Sequence, residues 1–402
     1  MSGSNQNHLK ALLIGEGHSL FWNVPHLLAR AGFQVDVLTL SHILKNSKFI
    51  HHCEIVPKGQ SFEDVISQKT LSDYDWIILS HDAMLSSILH SNLSPSKKLE
   101  LLPVLSEQNY SHLYSKIGLS QTLARHHIKT PPFDVVTSCA EAMVKADQLG
   151  YPVLLKKDAS GGGSGIFECQ SAHDFAKIPS NLFDKPMLIQ KMMEGDEVDV
   201  SAIFLEGQLI HCHYAKVEGV IKKFGPSWLR RYTPLTSVDK NLFDELAAIG
   251  KALGAHGMSN ISCLETKDGR FYIEVDMRPN VWADVTRFFG DDPAPRIQKW
   301  FLHRETLAVP AQQNGTAAET ILIPYFLRMR RRDLLLNRQR VWKYIPFEDT
   351  KLVTRLLIRY LLLTSLKSKI LRFLTAILPS KHHHLLNKTR LRQKFGFLAK
   401  FI

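Results

Sequence analysis

Apolar residues along this chain come in short runs punctuated by glycine and proline, and the runs predict its elements. Leu9–Ile14 is an apolar run closed by Gly15-Glu16-Gly17, a helical period follows over Asn23–Ala31, and Phe33–Leu40 is a second buried strand. Asp75–Leu79 is another strand. Strand, glycine turn, helix and strand at this spacing predict a parallel α/β unit. Alone, the Gly-Glu-Gly turn reads as a strand-to-helix connection rather than a nucleotide site. Leu113–His126 is periodic and stops before Pro131-Pro132, Phe133–Thr137 is a short strand, and Ala140–Leu149 is a helix closed by Gly150. Further strands are predicted at Val153–Lys156, Met187–Lys191, Val198–Leu205, Leu209–Tyr214, Asn260–Glu265 and Phe271–Arg278.

After about Ile321 the pattern changes to leucine mixed with arginine and lysine, and charge makes the change sharper. Of the chain's 402 residues, 322–402 carry 19 Lys/Arg against 3 Asp/Glu, whereas residues 1–321 carry 31 against 35. A mildly acidic body therefore bears a strongly basic end. Hydrophobic residues at 45% and charged residues at 22% exclude wholesale disorder, collagen and coiled coil. Cys53, Cys139, Cys169, Cys212 and Cys263 form no CxxC pair, which argues against a disulfide framework or a structural zinc site. The polar start MSGSNQNHLK predicts no secretory signal, and no uncharged apolar run approaches the ~20 residues of a membrane span. The expectation is a cytoplasmic protein.

Three constellations carry chemistry. The first is YPVLLKKDASGGGSG (151–165), a strand ending in lysine followed by four glycines and two serines. Glycines let backbone N–H groups approach phosphate oxygens, and a lysine adds a point charge. No GK[ST] closes the loop, so it is not a Walker A motif; the bland alternative is a flexible hairpin tip. The second is LIQKMMEGDEVDVSAIFLEGQLI (188–210), a strand entering a polar turn, with alternation resuming at Glu197-Val-Asp199-Val. The third is DGRFYIEVDMRPN (268–280), where alternation predicts Tyr272, Glu274, Asp276 and Arg278 on one face. Two carboxylates two residues apart suit a hard divalent cation, or form a solvated face paired with Arg278.

In this order and spacing the pieces resemble the ATP-grasp superfamily over residues 9 to about 305, closest to its carbamoyl-phosphate-synthetase and biotin-carboxylase branch. The resemblance implies an α/β pre-ATP-grasp, Rossmann-like N-terminal domain (1–105), a two-lobed α+β ATP-grasp domain (106–321) and a basic helical C-terminal extension (322–402). It implies ATP and Mg²⁺. Lys116 and Lys156 would contact the nucleotide phosphates, with the loop Gly161, Gly162, Gly163, Ser164 and Gly165 over them. The adenine hinge would be Gln190, Lys191, Met192 and Met193, read mostly through main-chain groups, and Glu197 would hold the ribose. Family hinges often begin with Glu, so Gln190 is a departure. The metal acids would be Glu274 and Asp276. Ser262 stands where the family has a first metal-binding acid, and Asp276 where it usually has Asn. Arg278 would orient an acceptor carboxylate. Arg230 and Arg231 stand where the branch carries a basic loop; only one of two neighbours on an extended strand can face inward, and Arg231 is taken as that catalytic residue.

The resemblance further implies a ligase that converts a carboxylate to an acyl phosphate for attack by an amine or other nucleophile. The alternative is an ATP-binding relative with lost or altered catalysis, which Ser262 and Asp276 motivate. Partners are then small molecules. In the basic end, Lys351, Arg355 and Arg359 fall at i, i+4 and i+8 on leucine-rich helical periodicity, and Lys367, Lys369 and Arg372 continue the charge. Peripheral binding to an anionic membrane and packing as a helical subdomain both fit. Nucleic acid fits poorly, because aromatic interleaving is sparse.

Overall fold

A computed structural model describes residues 9–17, 19, 21–306, 321–329 and 341–362. The chain divides into two compact units, Met1–Tyr325 and Phe326–Ile402.

The first unit opens with a parallel sheet of β1 (Leu9–Gly15), β2 (Phe33–Thr39), β3 (His52–Ile55) and β4 (Trp76–Leu79), ordered β3-β2-β1-β4. Its helices are α1 (Val24–Arg30), α2 (Phe62–Ser67), α3 (Asp82–His90) and α4 (Pro95–Leu101). Buried Ala11, Leu12, Leu13 and Ile14 make β1 a near-continuous apolar run, as a central strand covered on both faces requires, while β2 alternates buried Phe33, Val35 and Val37 with half-buried Gln34 and Asp36. Of its strands only β3, half-exposed and carrying one apolar pair, gave no sequence signal.

The chain then enters α5 (Lys116–Arg125), capped by the Ser115 hydroxyl, which accepts from the Gly118 N–H at 2.9 Å. A small four-stranded sheet follows, with β5 (Phe133–Val136), β6 (Val153–Lys157), β7 (Ile166–Cys169) and β8 (Met187–Lys191) ordered β5-β8-β6-β7. Helix α6 (Cys139–Leu149) covers one face, and Ala142, Ala146, Val153, Leu155, Phe175, Met187 and Ile189 form the core between them. The large sheet has six strands, ordered β13-β12-β9-β10-β11-β14. In chain order these are β9 (Asp196–Leu205), β10 (Gln208–Val220), β11 (Ser227–Thr233), β12 (Gly257–Thr266), β13 (Gly269–Asp276) and β14 (Ile321–Pro324). Helix α7 (Asn241–Leu253) packs Leu242, Leu246 and Ile249 into the core beside β10, and α8 (Ala294–His303) buries Ile297 and Trp300. Truncating a fully buried leucine such as Leu246 costs about 2–5 kcal/mol in such a core. The body extends past the composition change at 321, because β14 hydrogen-bonds to β11.

One irregularity matters for the site. Ser262 pairs with Glu274 and Cys263 with Tyr272, so Ile273 is an extra residue, a β-bulge. It breaks the alternation that would have set Tyr272 on the face of Glu274. Tyr272 is instead buried, its hydroxyl donating to Glu245 Oε2 of α7 at 2.6 Å.

In the second unit, the helix over 350–362 buries Leu352, Val353 and Leu356 and exposes Lys351, Arg355, Ile358, Arg359 and Leu362. Lys367, Lys369 and Arg372 lie outside the described residues. Among the described residues no helix is long and apolar enough to cross a membrane, and all five cysteines are free.

Candidate active site

The small and large sheets face each other across a cavity of about 250 Å³. Its walls include Lys116, Lys156, Gly163, Gln190, Lys191, Met192, Met193, Glu197 and Glu274, all singled out from the sequence, with Leu154, Ile166, Leu264 and Ile273 as apolar surface. Pleat alternation explains the selection. On β8, Gln190 turns to the cavity while Met187 and Ile189 enter the small core; on β6, Leu154 and Lys156 face the cavity and Leu155 the core.

Lys156 is 6% exposed, and its ammonium donates to Gln190 Oε1 at 2.7 Å. Burial pushes its pKa down to about 8; Glu274 pulls the other way, and Lys116 adds to the depression. Lys116 stands at the first turn of α5, donates to the Ser160 carbonyl and lies 3.7 Å from Glu274 Oε1. Asp158 ties that helix end to the glycine loop. Its carboxylate accepts from Ser115 Oγ at 2.9 Å and from the Ile117 N–H at 2.8 Å. Sequence reasoning passed over Asp158, although an acid two residues beyond Lys156 and opposite a helix start was a readable signal.

The glycine loop joins β6 to β7 as a hairpin. Gly162 and Gly163 have φ of +61° and +70°, and the Gly161 carbonyl accepts from Ser164 Oγ at 2.7 Å. Gly163 is required twice over, because a Cβ there would stand 2.2 Å from the Phe224 carbonyl oxygen. The tip of the glycine hairpin thus touches the tip of the β10–β11 hairpin, and Lys223 pairs with Glu168 beside that contact. Gly161 and Gly162 shape the turn without being cavity walls. The Lys191 side chain reaches back to the Gly150 carbonyl at 2.6 Å, leaving its main chain on the hinge.

Glu197 and Asp199 share a face of β9. Although Glu197 is exposed as a residue, partial desolvation pushes its carboxyl up; Asp199 and Glu274 add to this and Arg230 opposes it. Asp199, to which sequence reasoning gave no role, accepts from Arg230 Nη2 at 2.5 Å and from Ser262 Oγ at 2.6 Å. Arg230 also donates to Ser227 Oγ at 3.0 Å and lies over the Trp282 ring, 4.9 Å from its centroid. The inward arginine of the pair is therefore Arg230. Arg231 points out and pairs with Glu218, so the expectation that Arg231 serves catalysis is corrected by strand parity.

Two further residues stand apart from the cavity walls. Arg278 donates to Asp276 Oδ2 at 2.7 Å and to Asp82 Oδ2, at the first turn of α3, at 2.8 Å. Burial pushes the Asp276 carboxyl up; Arg278 opposes this, and Glu274 and Asp82 reinforce it. The guanidinium expected to hold an acceptor is thus already shared by two carboxylates. No cluster of three His, Cys, Asp or Glu side chains forms a metal cage among the described residues. Mg²⁺ needs no such cage, since it is held by one or two carboxylates plus substrate phosphates and water. Glu274, in the cavity and 41% exposed, fits that requirement, and Asp276 follows it on the same strand face.

No protein-family model matches the chain. Over 230 residues it is 26% identical to the carbamoyl phosphate synthase large chain of Clostridium botulinum (strain Kyoto / Type A2), a match covering 54% of this chain. It spans about a fifth, 21%, of that relative's length. The biotin carboxylase domain of Hydrogenobacter thermophilus 2-oxoglutarate carboxylase, solved with MgADP, ADP and bicarbonate, superposes with a TM-score of 0.60 at 16% identity, over 76% of this chain and 72% of that one. N5-carboxyaminoimidazole synthetase of Staphylococcus aureus, solved with ADP, gives 0.57 at 15% identity, over 75% and 78%. These likenesses show the fold: the first unit has the ATP-grasp fold.

Proposed function

We propose that the chain is an ATP-dependent ligase that activates a carboxylate as an acyl phosphate for attack by an amine or other nucleophile. The observation carrying this reading is the cavity itself. Two lysines from separate elements, a glycine hairpin and an accessible acid converge on one apolar-walled space. Structures sharing the fold were solved with ADP or MgADP, and in this chain the same nucleotide chemistry has the groups it requires. Phosphoryl transfer is mainly positioning and charge neutralisation. Lys116 and Lys156 neutralise phosphate oxygens, and Met192 and Met193 follow the hinge strand beside the base. Glu197 holds a ribose hydroxyl. Glu274, with Asp276 next on the same strand face, would hold Mg²⁺, which would supply positive charge to the phosphates. Hairpins that touch at Gly163 and Phe224 would limit the access of water to an acyl phosphate in the cavity.

The test is ADP release from ATP and Mg²⁺ against a panel of carboxylates and amines, with Glu274→Gln as control. Turnover that needs both an acid and an amine, and that the variant loses, is expected. Tight ATP binding with no acid-dependent ADP release would instead favour an ATP-binding protein with altered catalysis, the reading that Ser262 and the Arg278–Asp276 pair support.

A second proposal concerns the other unit. The exposed line of Lys351, Arg355 and Arg359, flanked by exposed Ile358 and Leu362, supports adsorption to an anionic membrane surface. At about 1 kcal/mol per basic residue, replacing all three by Glu should release the protein from anionic vesicles in co-sedimentation. Equal pelleting of both proteins, or none of either, would remove this proposal.

A further inference from the structure

The two sides of the cavity have separate cores. Leu119 and Leu123 of α5 pack with Val198 and Val200 of the large sheet, whereas Val153, Leu155, Met187 and Ile189 of the small sheet form a core of their own with α6. The junction between the first turn of α5 and the glycine hairpin is polar instead, and one acid spans it. Asp158 stands on the ascending limb of the hairpin, between Lys156 and Ser160. It accepts from Ser115 Oγ at 2.9 Å and from the Ile117 N–H at 2.8 Å. Ser115 Oγ in turn accepts from the Gly118 N–H at 2.9 Å. Two of the amides that a helix leaves unpaired at its start are thus held by a carboxylate from the other core, one directly and one through a hydroxyl. Lys116 lies between these two anchor points, and its ammonium donates to the Ser160 carbonyl on the same limb.

We propose that Asp158 is a positioning residue for Lys116: by clamping the first turn of α5 to the hairpin, it fixes where the Lys116 ammonium stands relative to that of Lys156. This inference rests on reading the cavity as a nucleotide site with Lys116 on the phosphates. Lysine is a point charge on a flexible stem, so its share of phosphate binding depends on where its backbone is held. The sign of the effect separates this role from plain electrostatics. A negative charge beside a phosphate site repels the phosphates, so by charge alone removing Asp158 would tighten binding. The clamp requires the opposite. A merely structural contribution also weakens binding, but by the same factor whatever stands at position 116.

The experiment is a double-mutant cycle, read as calorimetric binding of ADP with Mg²⁺ to the full chain, Asp158→Ala, Lys116→Met and the two combined. Asp158→Ala should bind about tenfold more weakly, the equivalent of one charge-assisted hydrogen bond. In the Lys116→Met background the same change should cost less than about twofold, because the residue it acts through is gone. Asp158→Asn keeps an acceptor for one of the two donors and should fall between wild type and Asp158→Ala. Where Asp158→Ala folds poorly, Asp158→Asn carries the cycle. Equal losses in both backgrounds overturn the proposal while leaving the nucleotide site intact, and so does unchanged or tighter binding by Asp158→Ala. Lys116→Met that binds as tightly as wild type removes Lys116 from the phosphates and overturns the inference with it. Failure of the wild-type protein to bind ADP overturns the nucleotide-site reading itself.

Discussion

Arg230 and Lys156 are both cations buried in the same body, and they meet the cost of burial in opposite ways. Arg230, 4% exposed, has its counter-ion in place: the Asp199 carboxylate, with the Ser227 hydroxyl and the face of Trp282 beside it. Lys156, 6% exposed, hydrogen-bonds a neutral amide and has another lysine for a neighbour. A buried charge with its counter-ion in place holds the sheet together. One without it lowers stability and is retained where an anion arrives from outside. The first site belongs to the fold; on the proposed reading, the second belongs to a ligand.

The strongest way to break the comparison is Asp199→Asn. It strips the counter-ion from Arg230, which should cost about 3–5 kcal/mol of stability in urea unfolding. A loss under about 1 kcal/mol would mean that Arg230 is not held as described. Next in size, Lys156→Met should leave stability unchanged or raised, because it removes an uncompensated charge. It should weaken ADP binding by about 1.5–3 kcal/mol in calorimetry; equal binding by both proteins would place the phosphate contact elsewhere. The smallest effect sharpens the contrast through pH. Folding lowers the Lys156 pKa from its ordinary 10.5 to about 8. Between those values the unfolded chain binds more protons, so stability rises with pH across that window. The wild-type protein should therefore gain on Lys156→Met as pH climbs from about 8 toward 10.5, while ADP affinity falls over the same range as the ammonium is lost. A constant stability difference would show that the amine titrates normally.

Part of the site was legible from local residues and part came with the family resemblance. A strand ending in lysine before a glycine run marked Lys156 by itself, whereas Lys116, Gln190 and Glu197 came with the resemblance; all four line one cavity. What escaped the sequence depends on distant chain. Which of Arg230 and Arg231 turns inward follows from how β11 registers against β10, a pairing that shifts at Gly219. Arg278 reads as a free cation until Asp82, 196 residues earlier, is brought against it. Alternation over Phe271–Arg278 failed at Ile273, because a bulge leaves no mark in hydrophobic pattern. The division at 106 came with the family resemblance; by contacts, Met1–Tyr325 form one compact unit.

The touching hairpin tips carry an implication for economy of turnover. At Gly163 the backbone lies so near the Phe224 carbonyl that even one methyl group would wedge the two tips apart. An enzyme working through a water-labile intermediate loses yield by leakage, when solvent reaches that intermediate before the second substrate does. If the chain is the proposed ligase, the fidelity of coupling, moles of product per mole of nucleotide spent, depends on a hydrogen atom where any other residue would place a carbon. On that reading, a side chain at 163 would leave a protein that still consumes ATP while making less from it.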